Sequence, residues 1–177
     1  MKPFITPELS AAGKKLLRYQ CEGIEAADLW NTMQGRSVIA YSMPAGHSFQ
    51  AAWLLRLILS GSASLEFSSA CTEVVGWHEV GSLNVRLVRP GAAGVTDAEI
   101  GMPVTSIPEV RLSAIQKIVY EDDDVITECG MALGGDGGVE VIVAAGVPPG
   151  SVSLAAPFTC QPFEPQFPLS ACRREAL

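Results

Sequence analysis

The stretch from Ile115 to Ala156 limits what this chain can fold into more than any other. Two apolar runs flank Gly134-Gly135-Asp136-Gly137-Gly138, and Pro148-Pro149-Gly150 opens a third. Apolar runs rich in Val and Ile that meet at glycine are the pattern of an antiparallel hairpin. With Gly134 to Gly138 as a five-residue loop, pairing puts Leu133 opposite Val139, Met131 opposite Val141, Cys129 opposite Val143 and Thr127 opposite Ala145. All of these are odd-numbered, so period-two alternation predicts one apolar face, with Ile126, Glu128, Ala132, Glu140 and Ile142 on the other. Glycine-rich loops also cradle phosphates, but a phosphate loop leads from strand into helix, and strand-like Val-Glu-Val-Ile-Val follows here.

At 177 residues the chain has the length of one well-buried domain. We expect a helical segment over 1–35, a β-rich core over 36–156 and an extended tail over 157–177. Hydrophobic residues make up 48% and charged residues 18%, an apolar balance that calls for a membrane span or for a large core with apolar surface left over. The longest apolar runs are only a few residues, and Arg56 interrupts Ala51 to Leu59, far short of the roughly 20 residues a spanning helix needs. The surplus therefore points to self-association.

The net charge of −7, with 12 Lys and Arg in all, gives nothing for phosphate contacts, so nucleic acid is not an expected partner. A partner chosen by charge is basic. Cys21, Cys71, Cys129, Cys160 and Cys172 form an odd set with no C-x-x-C pair, and the N-terminal residues lack the apolar core of a secretion signal. The expectation is a cytoplasmic protein with reduced thiols, no metal and no cofactor. Eight Arg against four Lys, with much Ala and Gly, suggests a bacterial protein.

Taken in order, Thr6-Pro7-Glu8 has the form of a helix start, and Leu9, Ala12, Leu16 and Leu17 follow helical spacing, with Gly13 against it. A second helix is expected from Glu22 or Ile24 to Met33, stopped by Gln34-Gly35. Ser37 to Met43 reads as a strand. Phe49 to Leu59 fits either a helix capped by Ser48 or a buried strand, and strand is preferred because Ser64 to Thr72, Glu73 to Val75 and Leu83 to Val88 follow as a meander. Arg89 to Pro108, punctuated by Pro and Gly, reads as a long surface connection. Leu112 to Tyr120 resumes strand character. The tail carries Pro157, Pro162, Pro165 and Pro168 among Phe158, Phe163 and Phe167, so it cannot be an interior strand and its rings must dock on the body or on a partner. The expected class is α+β: mostly antiparallel sheet in meanders and hairpins, one or two N-terminal helices, and an extended C-terminal tail.

Four features could carry function. Glu121-Asp122-Asp123-Asp124 concentrates negative charge, without the alternating ligand spacing of a calcium loop, and fits a solvated turn or a contact for a basic protein. Trp77-His78-Glu79, with Cys71 and Glu73 near in sequence, is the best candidate for proton-transfer or nucleophilic chemistry, though neighbours on a strand point to opposite faces. The remaining histidine, His47, follows Pro44-Ala45-Gly46 in a loop. Phe163 and Phe167 in the tail are candidate partner-binding residues. No G-x-S-x-G, H-E-x-x-H, P-loop or dinucleotide fingerprint occurs. The leading reading is a non-catalytic cytoplasmic protein acting through a protein-protein interface, as a homodimer or as the acidic partner of a basic protein such as a toxin that it inhibits. The alternative is a small hydrolase or ligand-binding enzyme with a pocket around His78.

Overall fold

The fold turns on one long strand. In the computed structural model, which describes residues 1–76, 78–89 and 102–177, the strand β8 (Val104–Glu121) runs for 18 residues and serves two parts of one sheet. Before it come β1 (Glu8–Leu9), β2 (Lys15–Leu17), β3 (Gln20–Glu22), the helix α1 (Ala26–Met33), β4 (Ser37–Ser42), β5 (Leu55–Leu59), β6 (Ser64–Glu73) and β7 (Glu79–Val88). After it come β9 (Val125–Gly135), β10 (Glu140–Ala145), β11 (Val152–Ala155) and β12 (Cys172–Ala176). The main path of the sheet is β1-β2-β9-β8-β4-β5-β6-β7-β3; β10 and β11 extend from β9, and β12 pairs with β8. The sheet curls into a half-barrel.

Curling brings sheet faces together around a core of Leu57, Leu65, Phe67, Leu83 and Val85 from one arm and Met131, Leu133, Val141 and Val143 from the other, with Leu29 and Met33 of α1 added. Burying side chains of this size contributes on the order of 2 kcal/mol each. A second cluster, including Leu17, Ile118, Ala132, Ile142 and Phe167, covers the opposite face of the β9-β10 hairpin. The arms touch at Gly81 of β7: the Thr127 hydroxyl donates to its carbonyl at 2.7 Å, and its N–H donates to Gln166 Oε1 at 2.7 Å. A Cβ at Gly81 would lie 2.6 Å from that of Ala145, so only glycine fits this approach.

This architecture corrects the expected class. The sheet is mixed, because β2 runs parallel to β9 and β3 parallel to β7, and among the described residues α1 is the only α-helix. The expected first helix is instead the pair β1 and β2, joined by a turn in which Gly13 takes φ +80°. Helical spacing of four leucines and alanines lost to the glycine, and Lys15 to Leu17 gained ladder bonds to β9 that an isolated short helix could not match. The second helix begins at Ala26 and ends at Met33, with Gly35 at φ +75° just beyond. Only Leu55–Leu59 of the ambiguous 49–59 run is strand. The supposed loop from Arg89 to Pro108 is strand from Val104 onward, with 90–101 outside the described residues.

The β9-β10 hairpin forms with a register two residues from the expected one: Val141 faces Leu133 and Val143 faces Met131. A shift of two preserves faces, so the odd-numbered residues keep their common side. Asp136–Gly138 form a 3-10 turn with Gly137 at φ +75°, which shortens the loop. The other face is dry as well: Ala132 is 1% and Ile142 8% exposed, and the nearly buried Glu128 is met by Lys117 Nζ at 2.6 Å and by the Tyr19 N–H at 2.7 Å.

Candidate partner-binding site

Strand β8 has unequal surroundings along its length. From Leu112 to Glu121 it pairs with β9, and from Gln116 to Tyr120 its other edge holds β12. From Val104 to Arg111 it pairs with β4 alone, and among the described residues no strand occupies the second edge. An edge of this kind presents N–H and C=O groups with no ladder to join. The register against β4 breaks between Val38 and Ala40, and Ile107-Pro108-Glu109 bulges opposite Ile39. Proline fits such a bulge because it has no donor to lose, and the bulge limits how far a foreign strand can zip.

The open edge borders two adjoining grooves. One, of about 360 Å³, is lined by Glu109, Val110, Arg111, Asp136 and Val139. The other, of about 150 Å³, is lined by Pro108, Glu109, Val110, Val139, Pro157 and Phe158. The β9-β10 turn supplies Asp136 and Val139, and the tail supplies Phe158, whose ring stacks on Tyr41 at 5.8 Å and meets Phe49 edge-on at 6.3 Å. Apolar walls with Glu109 and Asp136 at the rim suit an extended segment with alternating apolar and basic side chains. Neither carboxylate has an ion-pair partner among the described residues.

The residues singled out from the sequence lie elsewhere. The turn between β6 and β7 brings Glu73 opposite Glu79 and Cys71 opposite Gly81, while His78 is exposed and lines neither groove; Trp77 is outside the described residues. Burial pushes the Cys71 thiol up, and the Glu79 carboxylate beside it pushes it further, so this thiol keeps its proton near neutral pH. That arrangement is the opposite of an activated nucleophile.

The acidic run forms a hydrogen-bonded turn between β8 and β9. Asp122 Oδ1 accepts from the Asp124 and Val125 N–H groups at 2.9 Å each. Partial burial works to raise its pKa, but these two bonds, a bond from Tyr120 and the nearby His78 bring the net shift below the ordinary value. Glu121 is held by Lys14 at 2.8 Å and by Arg173 at 2.7 Å, and the Lys14 hydrogen bond leads in lowering its pKa. Asp123 and Asp124 face solvent. In the tail, Phe167 is 8% exposed and stacks on Tyr120 at 4.0 Å, and Phe163 packs at the margin of the second core.

Sequence reasoning missed Glu109, Val110, Arg111, Val139 and Phe158 as one site, because they come from three segments that only the curled sheet assembles. It also missed a charge row on the outer face. Arg56, Glu66, Arg86 and Glu22 are cross-strand neighbours on β5, β6, β7 and β3, alternating in sign, with Glu66 fully buried between the two guanidiniums. The opposite charges at paired positions were the available signal, legible only once the register is known. Among the described residues no helix is long and apolar enough to cross a membrane, and no group of three or more His, Cys, Asp or Glu could hold a metal ion. Comparison with protein-family models, curated proteins and solved structures finds no match for this chain.

Proposed function

We propose that this is a non-catalytic binding protein that takes an extended, basic segment of another protein along the open edge of β8. The single observation behind the reading is the stretch Val104 to Arg111, paired with β4 on one edge only among the described residues, running beside grooves with apolar walls and two carboxylates, Glu109 and Asp136, that have no ion-pair partner among the described residues. Main-chain bonds from the edge would supply affinity, and Glu109 and Asp136 would select positive side chains. The net charge of −7 favours the same class of partner at long range. In this reading the protein works in the cytoplasm, where five unpaired thiols stay reduced.

The test uses a labelled peptide alternating Val and Lys, about ten residues long to match a strand, against a Val and Glu control. The Lys peptide is expected to bind, to weaken with salt, and to slow amide exchange over 104–111. The double variant Glu109→Arg, Asp136→Arg is expected to lose at least about tenfold in affinity. Equal binding of the Glu peptide, or protection confined to another strand, defeats the proposal. So does a chain that sediments as a dimer with its β8 edge already protected, since the occupant is then a second copy.

A further inference from the structure

Strand β6 changes neighbours along one edge while β7 holds the other throughout. β5 pairs with it from Ser64 to Phe67, and further on the Cys71 N–H donates to the Pro3 carbonyl oxygen at 2.8 Å. Ser69 lies between these contacts. Backbone groups two residues apart in a strand point to the same edge, so the Ser69 N–H and C=O face the interval between β5 and Pro3, where no described strand pairs with them. The interval opens into a notch of about 330 Å³, lined by Lys2, Pro3, Trp53, Ser68, Ser69 and Gly150 among others. Trp53 is 68% exposed. Its position is fixed all the same, because Ala52 and Val152 exchange N–H···O bonds at 2.9 and 2.8 Å and the His47 ring meets the indole edge-on at 5.5 Å. Beside it, the Ser68 hydroxyl accepts from Nδ2 of the buried Asn84 at 3.1 Å, and the same amide donates to the Lys2 carbonyl at 3.0 Å. The Ser68 proton is thereby turned away from Asn84; its acceptor is the Met1 sulfur at 3.7 Å, a weak one.

We propose that this notch binds a saccharide, with one sugar ring lying on the Trp53 indole and its hydroxyls bonded to Ser68 Oγ and to the Ser69 main chain. A sugar ring carries C–H groups on its faces and hydroxyls around its rim. The notch is divided in the same way: an aromatic face for the C–H groups, and beside it a hydroxyl that gives up only a weak acceptor and a backbone donor and acceptor with no ladder to join. An aromatic platform already held in place loses little freedom when a ligand settles on it.

Other ligand classes fit less well. An exposed indole also attracts cations, but among the described residues no carboxylate lines the notch and Lys2 does, which opposes a positive guest. An acyl chain would cover the Ser68 and Ser69 polar groups without satisfying them. The volume stands near the lower end of the range for small-molecule sites, enough for a sugar ring. This inference does not depend on the edge-binding reading, since the notch shares no lining residue with the two grooves beside β8.

The experiment titrates the folded, full-length chain separately with maltotetraose, cellotetraose and chitotetraose, and follows the indole N–H signals of Trp30, Trp53 and Trp77 by NMR, with Trp53→Phe to assign the Trp53 signal. At least one of the three saccharides is expected to shift the Trp53 signal saturably, together with the amides of Ser68 and Ser69. Trp53→Ala is expected to weaken that binding at least about tenfold with the urea midpoint unchanged, because the ring it removes is largely in water. Ser68→Ala is expected to weaken it about three- to tenfold. Adenosine and tetramethylammonium ion are expected to leave the Trp53 signal in place. The proposal is overturned by no shift with any of the three saccharides up to tens of millimolar, by binding that survives Trp53→Ala, by an equal shift with adenosine or tetramethylammonium, or by saccharide shifts centred on 104–111.

Discussion

The two halves of β8 have similar sequences and opposite situations. Leu112 to Glu121 pairs with β9 on one edge and, from Gln116 to Tyr120, with β12 on the other, while Val104 to Arg111 pairs with β4 and has no strand among the described residues on its second edge. In the first half Ile115, Ile118 and Val119 are at most 4% exposed; in the second Val104 is 63% exposed. The difference teaches that the ladder around a strand, more than its composition, decides whether it is scaffold or surface. Where both edges are taken the residues hold the fold, and where no described strand takes the second edge we propose that they bind.

Five perturbations would break or sharpen this contrast. The largest effect is expected from Leu133→Ala, which empties the core beside Ile115 and should cost about 3 to 4 kcal/mol in urea unfolding. Val104→Ala in the open half should change stability by less than about 0.5 kcal/mol; comparable losses at both sites would erase the distinction. Next comes Glu128→Gln, which leaves Lys117 of the closed half with only the more distant Glu175 at 3.7 Å and should cost about 2 kcal/mol.

A smaller loss, about 1 kcal/mol, is expected for Asp122→Ala, which removes the acceptor for two backbone donors where β8 turns into β9. Its sign with pH is fixed by the depressed pKa of the folded state. The contribution is complete above the unfolded value near 4 and is lost as pH falls through the lower folded value. Wild type and variant should therefore differ at pH 7 and converge in acid; a gap that persists at the lowest pH would contradict the assignment. The smallest effect belongs to Glu109→Arg with Asp136→Arg, which should move the unfolding midpoint by less than about 0.5 kcal/mol while changing peptide binding.

Some of this was legible in the chain. Val139 to Ala145 lies beside Val125 to Leu133 because valine-rich runs joined by glycine have few other ways to satisfy their backbone. The dry odd-numbered face followed from the period of two, and it survived a register error of two residues. The first helix was misread because helical spacing in Leu9, Ala12, Leu16 and Leu17 is a local signal, whereas β2 is fixed by parallel pairing with Val125 to Thr127, more than a hundred residues away. The candidate site was not legible at all. Glu109 carries no mark in sequence that separates it from Glu140, which Arg174 of β12 neutralises.

The sequence by itself determined that strands would dominate the middle of this chain, where glycine would turn them, and that no long apolar helix would form. Alternation and turn chemistry act over a few residues, so they can be read in one dimension. Only the tertiary structure decided which strands paired and which carboxylates found partners. Those outcomes depend on pairings between distant segments, whose free energy exists only once the sheet has curled and brought them within bonding distance.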